Sequence, residues 1–305
     1  MKIYMDVVNM TDRQKKINKI AMKPFIIISF FLPAFLMAQI DFPSASPDAS
    51  WTHQLGFTQI DLSYSRPHMR SRKIFGALVP YNVLWRTGAG ESTRIKFSED
   101  INIGGQSVQK GQYALYSIPG PDEWTIILNA DATLHGAFGY DEKKDVLRVK
   151  VKPTSSATTH ESFNIDLTDF KSDYSAVLQL TWENTIVKVP LVSNADSRIM
   201  KEIQENLLQK EGENAGLLNK GAQYYYSQKK DLNRALLWSQ KSEALSADNF
   251  YYAYLTTKIL EELKRYTDAI KSAERAVEIG KKKGMAEEVE HLEEKISEWK
   301  NKNSK

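Results

Sequence analysis

Hydrophobic and polar positions change their period once along the chain. Between Trp51 and Val192 the period is two. Gln59-Ile60-Asp61-Leu62-Ser63-Tyr64 alternates polar and apolar, as do Thr93-Arg94-Ile95-Lys96-Phe97 and Val146 to Val151. Such alternation marks a strand with one face buried. Ile101-Asn102-Ile103 runs into Gly104-Gly105, a hairpin signal, and Gly111 precedes the strand Tyr113–Ile118. Trp124–Leu128 is a nearly continuous apolar strand, and three more are expected over 162–167, 175–182 and 185–191. Short strands separated by turn residues, with no intervening helical pattern, predict an antiparallel β-sandwich or barrel-like domain over residues 51–192.

From Ser193 the period becomes helical, so the chain reads as a two-domain β + α protein. Asp231 is placed to cap a helix through Trp238, and Thr267-Asp268-Ala269-Ile270 opens another. Ala235 and Ala269 lie 34 residues apart, and the same offset pairs Tyr225 with Ile259, Ser239 with Ala273 and Ser242 with Ala276. A helix–turn–helix period of about 34 residues resembles the tetratricopeptide repeat. The repeat family's Trp-Leu-Gly signature and terminal Pro are missing. Two units are expected, 213–247 and 248–284, between a leading helix near 195–210 and a capping helix near 285–300. The helical domain is assigned to 193–305.

Residues 24–38, PFIIISFFLPAFLMA, form an apolar run preceded by Lys15, Lys16, Lys19 and Lys23. That run is shorter than the roughly 20 residues of a membrane helix and fits a secretory signal, with Ala38 at the cleavage point. A signal peptide over 1–38 is expected, with Met22 an alternative start, followed by a linker over 39–50. Pro33 and the lack of a basic stop-transfer cluster argue against a stable membrane anchor. The expected location is therefore periplasmic or secreted. The whole chain has 41 basic and 38 acidic residues, a net charge of +3. The first 38 residues hold six basic and two acidic ones, so the remainder is close to −1. Nucleic acid is accordingly not an expected partner.

The chain contains no cysteine. This excludes disulfides, thiol nucleophiles, Cys-ligated metals, iron–sulfur clusters and a lipidated N-terminal cysteine. No cofactor is expected. The five histidines stand in no ligand spacing, so no metal is expected either. There is no GxSxG motif. The densest polar cluster runs from Tyr64 to Arg72 and resumes at Trp85-Arg86-Thr87-Gly88-Ala89-Gly90-Glu91. Arg66 and Arg86 suit carboxylate, phosphate or sugar oxygens, and Trp85 offers a flat ring to a sugar or cation. The alternative is that the arginines satisfy loop carbonyls or pair with acids, which is favoured for Arg70 and Arg72, and that Trp85 is packing. Glu91 and His135 complete the ligand-binding candidates, His135 lying in a glycine-rich turn. The aromatic stretches 224–226 and 250–254, with Trp238, either pack between helices or line a peptide groove.

Several motifs together resemble the bacterial domain-of-unknown-function family 2911. They include Tyr64-Ser65-Arg66-Pro67, Arg72-Lys73-Ile74-Phe75-Gly76, Leu78-Val79-Pro80-Tyr81, Trp85-Arg86-Thr87-Gly88-Ala89, Ile118-Pro119-Gly120 and Glu123 to Asn129. The likeness covers about 45–190 and implies an exported β-rich domain of unestablished activity. That family typically has Asn where this chain has Gly90. The resulting expectation is an exported, non-enzymatic binding module. Its β-domain would take a small polar or saccharide-like ligand, and residues 213–284 a protein partner. Two other readings are an envelope-polymer hydrolase using Glu91 or Asp145 with His135, and a purely structural scaffold.

Overall fold

A computed structural model describes residues 42–209 and 214–303. The expected signal peptide and the first part of the linker lie outside the described residues. No described helix is long and apolar enough to cross a membrane.

The β-domain comprises ten antiparallel strands in two sheets. β1 (Asp48–Leu55), β2 (Thr58–Ser65), β3 (Thr93–Phe97), β6 (Gly111–Ile118), β7 (Trp124–Asn129) and β8 (Asp145–Val151) form one sheet in the order β1-β2-β3-β6-β7-β8. β4 (Ile101–Ile103), β5 (Gln106–Val108), β9 (Thr154–Thr168) and β10 (Ser175–Ser193) form the other, in the order β5-β4-β10-β9. Alternation decides which face is buried. Ile60, Leu62, Ile95, Phe97, Ile126, Leu128, Leu147 and Val149 point inward from the first sheet. They meet Ile165, Leu167, Leu178, Leu180, Val187, Val189 and Leu191 of the second.

At the centre five rings interlock. Phe75 lies edge-on to Trp124 at 4.9 Å, and Trp85 stacks near-parallel on Trp182 at 5.9 Å and leans on Phe163 at 5.0 Å. Side chains bridge the sheet edges: Trp51 Nε1 donates to Ile165 O at 2.8 Å, and Gln106 Nε2 to Arg148 O at 3.0 Å.

Two differences from the expected strands have physical causes. The segments 175–182 and 185–191 are one strand, because the chain passes Glu183 as an irregularity instead of turning. Glu183 has φ +54°, and the β9–β10 register slips on both sides of it. β1 begins at Asp48, inside the segment read as a linker, because its polar outward positions hide the alternation. Its inward Ala49 and Trp51 pack against the core.

The helical region contains α1 (Ala195–Ile203), α2 (Ala215–Ser227), α3 (Leu232–Leu245), α4 (Phe250–Glu262), α5 (Tyr266–Lys283) and α6 (Ala286–Asn303). α1 runs on into a π-turn over Gln204–Leu208. Asn214, Asp231 and Asn249 cap α2, α3 and α4 by accepting from Leu217, Arg234 and Tyr251 amides. Gly284, at φ +72°, ends α5. From α2 onward each helix packs on the next. The positions that recur at the 34-residue offset are the close-approach points: Ala235, Ala269, Ser239, Ala273, Ser242 and Ala276 are all buried. Tyr224, Tyr225, Trp238 and Phe250 are buried between helices and do not line an open groove; Tyr251 is exposed.

The two domains meet at the β1–β2, β3–β4 and β9–β10 turns. Arg198 of α1 lies 4.4 Å over the Phe57 ring and donates to Glu99 at 3.0 Å. Tyr174 joins the helical core, and Gln228 donates to Ser172 O at 2.8 Å. Gly56 sits at this joint with φ +59°, and a Cβ there would lie 2.4 Å from Ser193 Oγ and 2.7 Å from Ala195 Cβ. Gly105, at φ +87°, has open space around it. Gly105→Ala should therefore cost only the left-handed backbone penalty, about 1–2 kcal/mol. Gly56→Ala should cost that plus about 1–3 kcal/mol of overpacking. Urea unfolding of both variants checks the difference.

Candidate functional site

The segment joining the core to β3 builds the site. Trp85 anchors it: the ring is buried, and its Nε1 donates to Gly88 O at 3.0 Å. Thr87 follows, fully buried at φ +55°. A β-branched residue in the left-handed region is strained by about 1–2 kcal/mol. Polar contacts hold it there. Its hydroxyl lies 2.8 Å from Ser117 Oγ, and Thr93 Oγ1 donates to Thr87 O at 2.5 Å. Gly90 has φ +63°, a region that Asn also tolerates. A Cβ at position 90 would lie 3.6 Å from Ser65 Oγ, so the position stands beside that hydroxyl.

This path brings Arg86 and Glu91 beside His135, which the 131–136 loop supplies. Glu91 Oε1 lies 2.7 Å from His135 Nδ1, with Glu91 55% and His135 74% exposed. Arg86 Nη1 donates to Gly90 O at 2.9 Å and lies against Gly136, where a Cβ would come within 2.7 Å of it. Arg94 reaches Glu91 Oε2 at 3.7 Å and donates from Nε to Ala132 O at 3.0 Å. Ser92 donates to Leu134 O. The 131–136 loop is thus fastened beside Glu91.

Beneath this rim the outward face of β1–β3 is concave and polar. A cavity of about 330 Å³ is lined by Asp48, Ser50, Ser63, Ser65, Glu91 and Arg94, among others. A second, of about 510 Å³, shares Ser50, Ser63 and Arg94 and extends to Thr52, Asp61, Lys96 and Gln112. The acids are partly occupied: Asp48 accepts from Ser65 at 2.7 Å, and Asp61 from Thr52 at 2.7 Å. The surface combines hydroxyls, two cations and three carboxylates, and suits a ligand with many hydrogen-bonding groups.

Other candidates stand apart from this groove. Trp85 as a ligand platform is corrected: it is enclosed by Phe75, Trp124, Phe163 and Trp182 and presents no open face. Arg66 does not line this groove, and its Nε donates to Phe163 O at 3.3 Å. Arg70 donates to Ala45 O, and Arg72 to Met69 O and His68 O. All four arginines of the cluster satisfy backbone carbonyls. Asp145 belongs to a separate network, accepting from Asn129 at 2.7 Å, Tyr140 at 2.6 Å and Arg148 at 2.8 Å. Burial and the Asp145 carboxylate push the Tyr140 hydroxyl up to about 12. Among the described residues no three His, Asp or Glu side chains gather as a metal site requires.

Sequence reasoning missed Ser50, Ser63, Arg94 and Lys96. Their signal was present as outward parity on alternating strands, but the adjacency of β2 and β3 across 27 intervening residues was not.

Residues 46–191 match the family model described as Protein of unknown function (DUF2911). No curated protein and no solved structure matches the chain. The family match ends before α1, so the tetratricopeptide likeness rests on helix period and packing alone.

The loop carrying His135 is also held by Asp131, which accepts from Lys144 at 2.8 Å and from Thr133. These hydrogen bonds, Lys144 first, hold the Asp131 carboxyl down to about 2. A depressed carboxyl stabilises the fold above its unfolded pKa, near 4, and loses that contribution as pH falls toward 2. The protection of the 131–136 amides, taken against the intrinsic exchange rate at each pH, should fall between about pH 4 and 2. Asp131→Asn should remove that acid-dependent step.

Proposed function

We propose that this chain is an exported, non-enzymatic binding module, acting in the periplasm or outside the cell, whose β-domain takes a small polar or saccharide-like ligand. The observation that carries this reading is the continuous polar concavity on the outward face of β1–β3, rimmed by Glu91 and His135. An outward sheet face that is concave and lined by short hydroxyl side chains leaves room for a ligand and offers it many donors and acceptors. The helical domain supplies a surface for a protein partner and is fixed to the end of the sheets remote from Glu91.

A second reading, hydrolysis of an envelope polymer, is favoured by one contact. Glu91 holds His135 through Nδ1, leaving Nε2 as the outward nitrogen, an arrangement able to move a proton. Among the described residues no hydroxyl is hydrogen-bonded to that ring, and the binding reading ranks first.

Ser63 lies on the floor common to both halves of the groove and is exposed, away from the core. Calorimetric titration with a panel of neutral and acidic oligosaccharides should find a ligand whose affinity falls at least tenfold, about 1.4 kcal/mol, in Ser63→Leu. The unfolding midpoint should be unchanged. Undiminished affinity in that variant sinks the groove as the site. Release of reducing ends from an envelope polysaccharide, abolished by Glu91→Gln, would replace binding with hydrolysis. N-terminal sequencing of the exported chain should begin at Gln39.

A further inference from the structure

One edge of the sandwich is left open. The two sheets have four edge strands, β1, β8, β5 and β9. An unpaired edge invites another chain, so folded proteins shorten, charge or cover it. β5 is three residues long. β8 carries Arg148 and Lys150, and its Arg148 O accepts from Gln106 Nε2. β9 is covered from across the sandwich. Its Ile165 N donates to the Tyr64 hydroxyl at 3.1 Å, Trp51 Nε1 donates to Ile165 O, and Phe163 N donates to Pro67 O at 2.9 Å. β1 has none of these devices: it is eight residues long, with no Lys, Arg or Pro.

Parity shows which backbone groups of β1 are free. The Gly56-Phe57 turn pairs Leu55 with Thr58, and beyond the other end of the strand Arg66 N donates to Pro47 O at 2.8 Å. Both belong to one register, so the odd residues of β1 bond to β2 and the even ones point away from it. Asp48, Ser50, Thr52 and Gln54 are exposed and turn their N–H and C=O to the open edge. Among the described residues those backbone groups have no partner.

A second copy fits this edge. The four free positions form a symmetric set centred on Trp51. An antiparallel copy related by a two-fold axis at Trp51 pairs Asp48 with the partner's Gln54 and Ser50 with the partner's Thr52, which uses all four. No like charges face each other. The inward positions set Ala49 against the partner's His53 and the half-buried Trp51 against the partner's Trp51, a cross-strand aromatic pair of the stabilising kind. A foreign peptide added here would carry a new open edge on its far side, whereas a second copy leaves none.

We propose that two copies of this chain pair through β1 and join their six-stranded sheets into one. Ser50 and Thr52 also line the polar groove, so the pairing sets two grooves side by side across the axis. The pairing stands on backbone geometry and is independent of the ligand reading.

Sedimentation velocity of the exported chain at about 1–100 µM should show a dimer. Ser50→Pro removes one outward N–H and breaks no β1–β2 bond; it should give a monomer with an unchanged far-UV circular dichroism spectrum. The absence of cysteine allows a second measurement without a disruptive variant. In the paired register Ser50 and the partner's Thr52 stand about 5.5 Å apart at Cα, within disulfide reach, and two copies of either position about 7–8 Å apart, beyond it. A mixture of Ser50→Cys and Thr52→Cys chains should therefore cross-link at least fivefold more on oxidation than either variant alone. A monomer throughout the concentration range overturns the proposal. So does a dimer that folded Ser50→Pro leaves intact, or equal cross-linking in the mixture and the single variants. If Ser50→Pro does not fold, the cross-linking decides. The readout is mass and not affinity, so each of these failures leaves the ligand reading standing.

Discussion

The β-domain depends on the burial of Trp85 between its two sheets. This ring touches Phe75, Trp124, Phe163 and Trp182, which come from the connecting loop, the first sheet and the second. Aromatic packing of this kind contributes large buried area and directional edge contacts. Because Trp85 is fixed, the chain leaving it is fixed too. Thr87 is forced into a left-handed conformation, and the next four residues turn outward to end at Glu91. Strain at Thr87 persists because Ser117 and Thr93 hold its polar atoms. The rim of the candidate site is therefore an extension of the core, not a free loop.

The groove itself follows from strand parity. Each strand of the first sheet has one set of side chains committed to the core, so the other set must face away from it. Over β6 and β7 the outward set is apolar, with Ala114, Tyr116 and Ile127 covered by Leu134, Ala137 and Tyr140. Over β1–β3 the outward set is polar and uncovered. The covering loop thus ends where the polar surface begins, and His135 stands at that border beside Glu91.

The helical domain uses a different principle. Small residues at repeating positions let neighbouring helices approach, and aromatics fill the space between them. Its joint to the sheets is polar and aromatic, through Arg198, Phe57, Glu99 and Tyr174, and the two apolar cores remain distinct clusters. Between α3 and α5 the stacking leaves an open groove, with the Glu243–Arg275 ion pair on its wall.

Much of this architecture was legible in the alternation of residues. Ile60, Leu62 and Tyr64, or Ile95 and Phe97, declare a strand and its buried face because side-chain direction in a strand has a period of two. The 34-residue offset declares paired helices for the same kind of reason, since close contacts recur once per repeat. Glu91 and His135 were visible as polar residues in glycine-rich turns. That they touch was not, because 43 residues separate them and no local rule spans such a distance. Trp85 reads in sequence as either packing or a ligand platform, and only the tertiary structure shows that its faces are taken. Arg66 and Arg86 look alike in sequence, yet one satisfies a carbonyl in the opposite sheet and the other supports the rim of the groove. Local periodicity determined the elements and their buried faces; the order of strands in the sheet, a long-range choice, decided which polar residues share a surface.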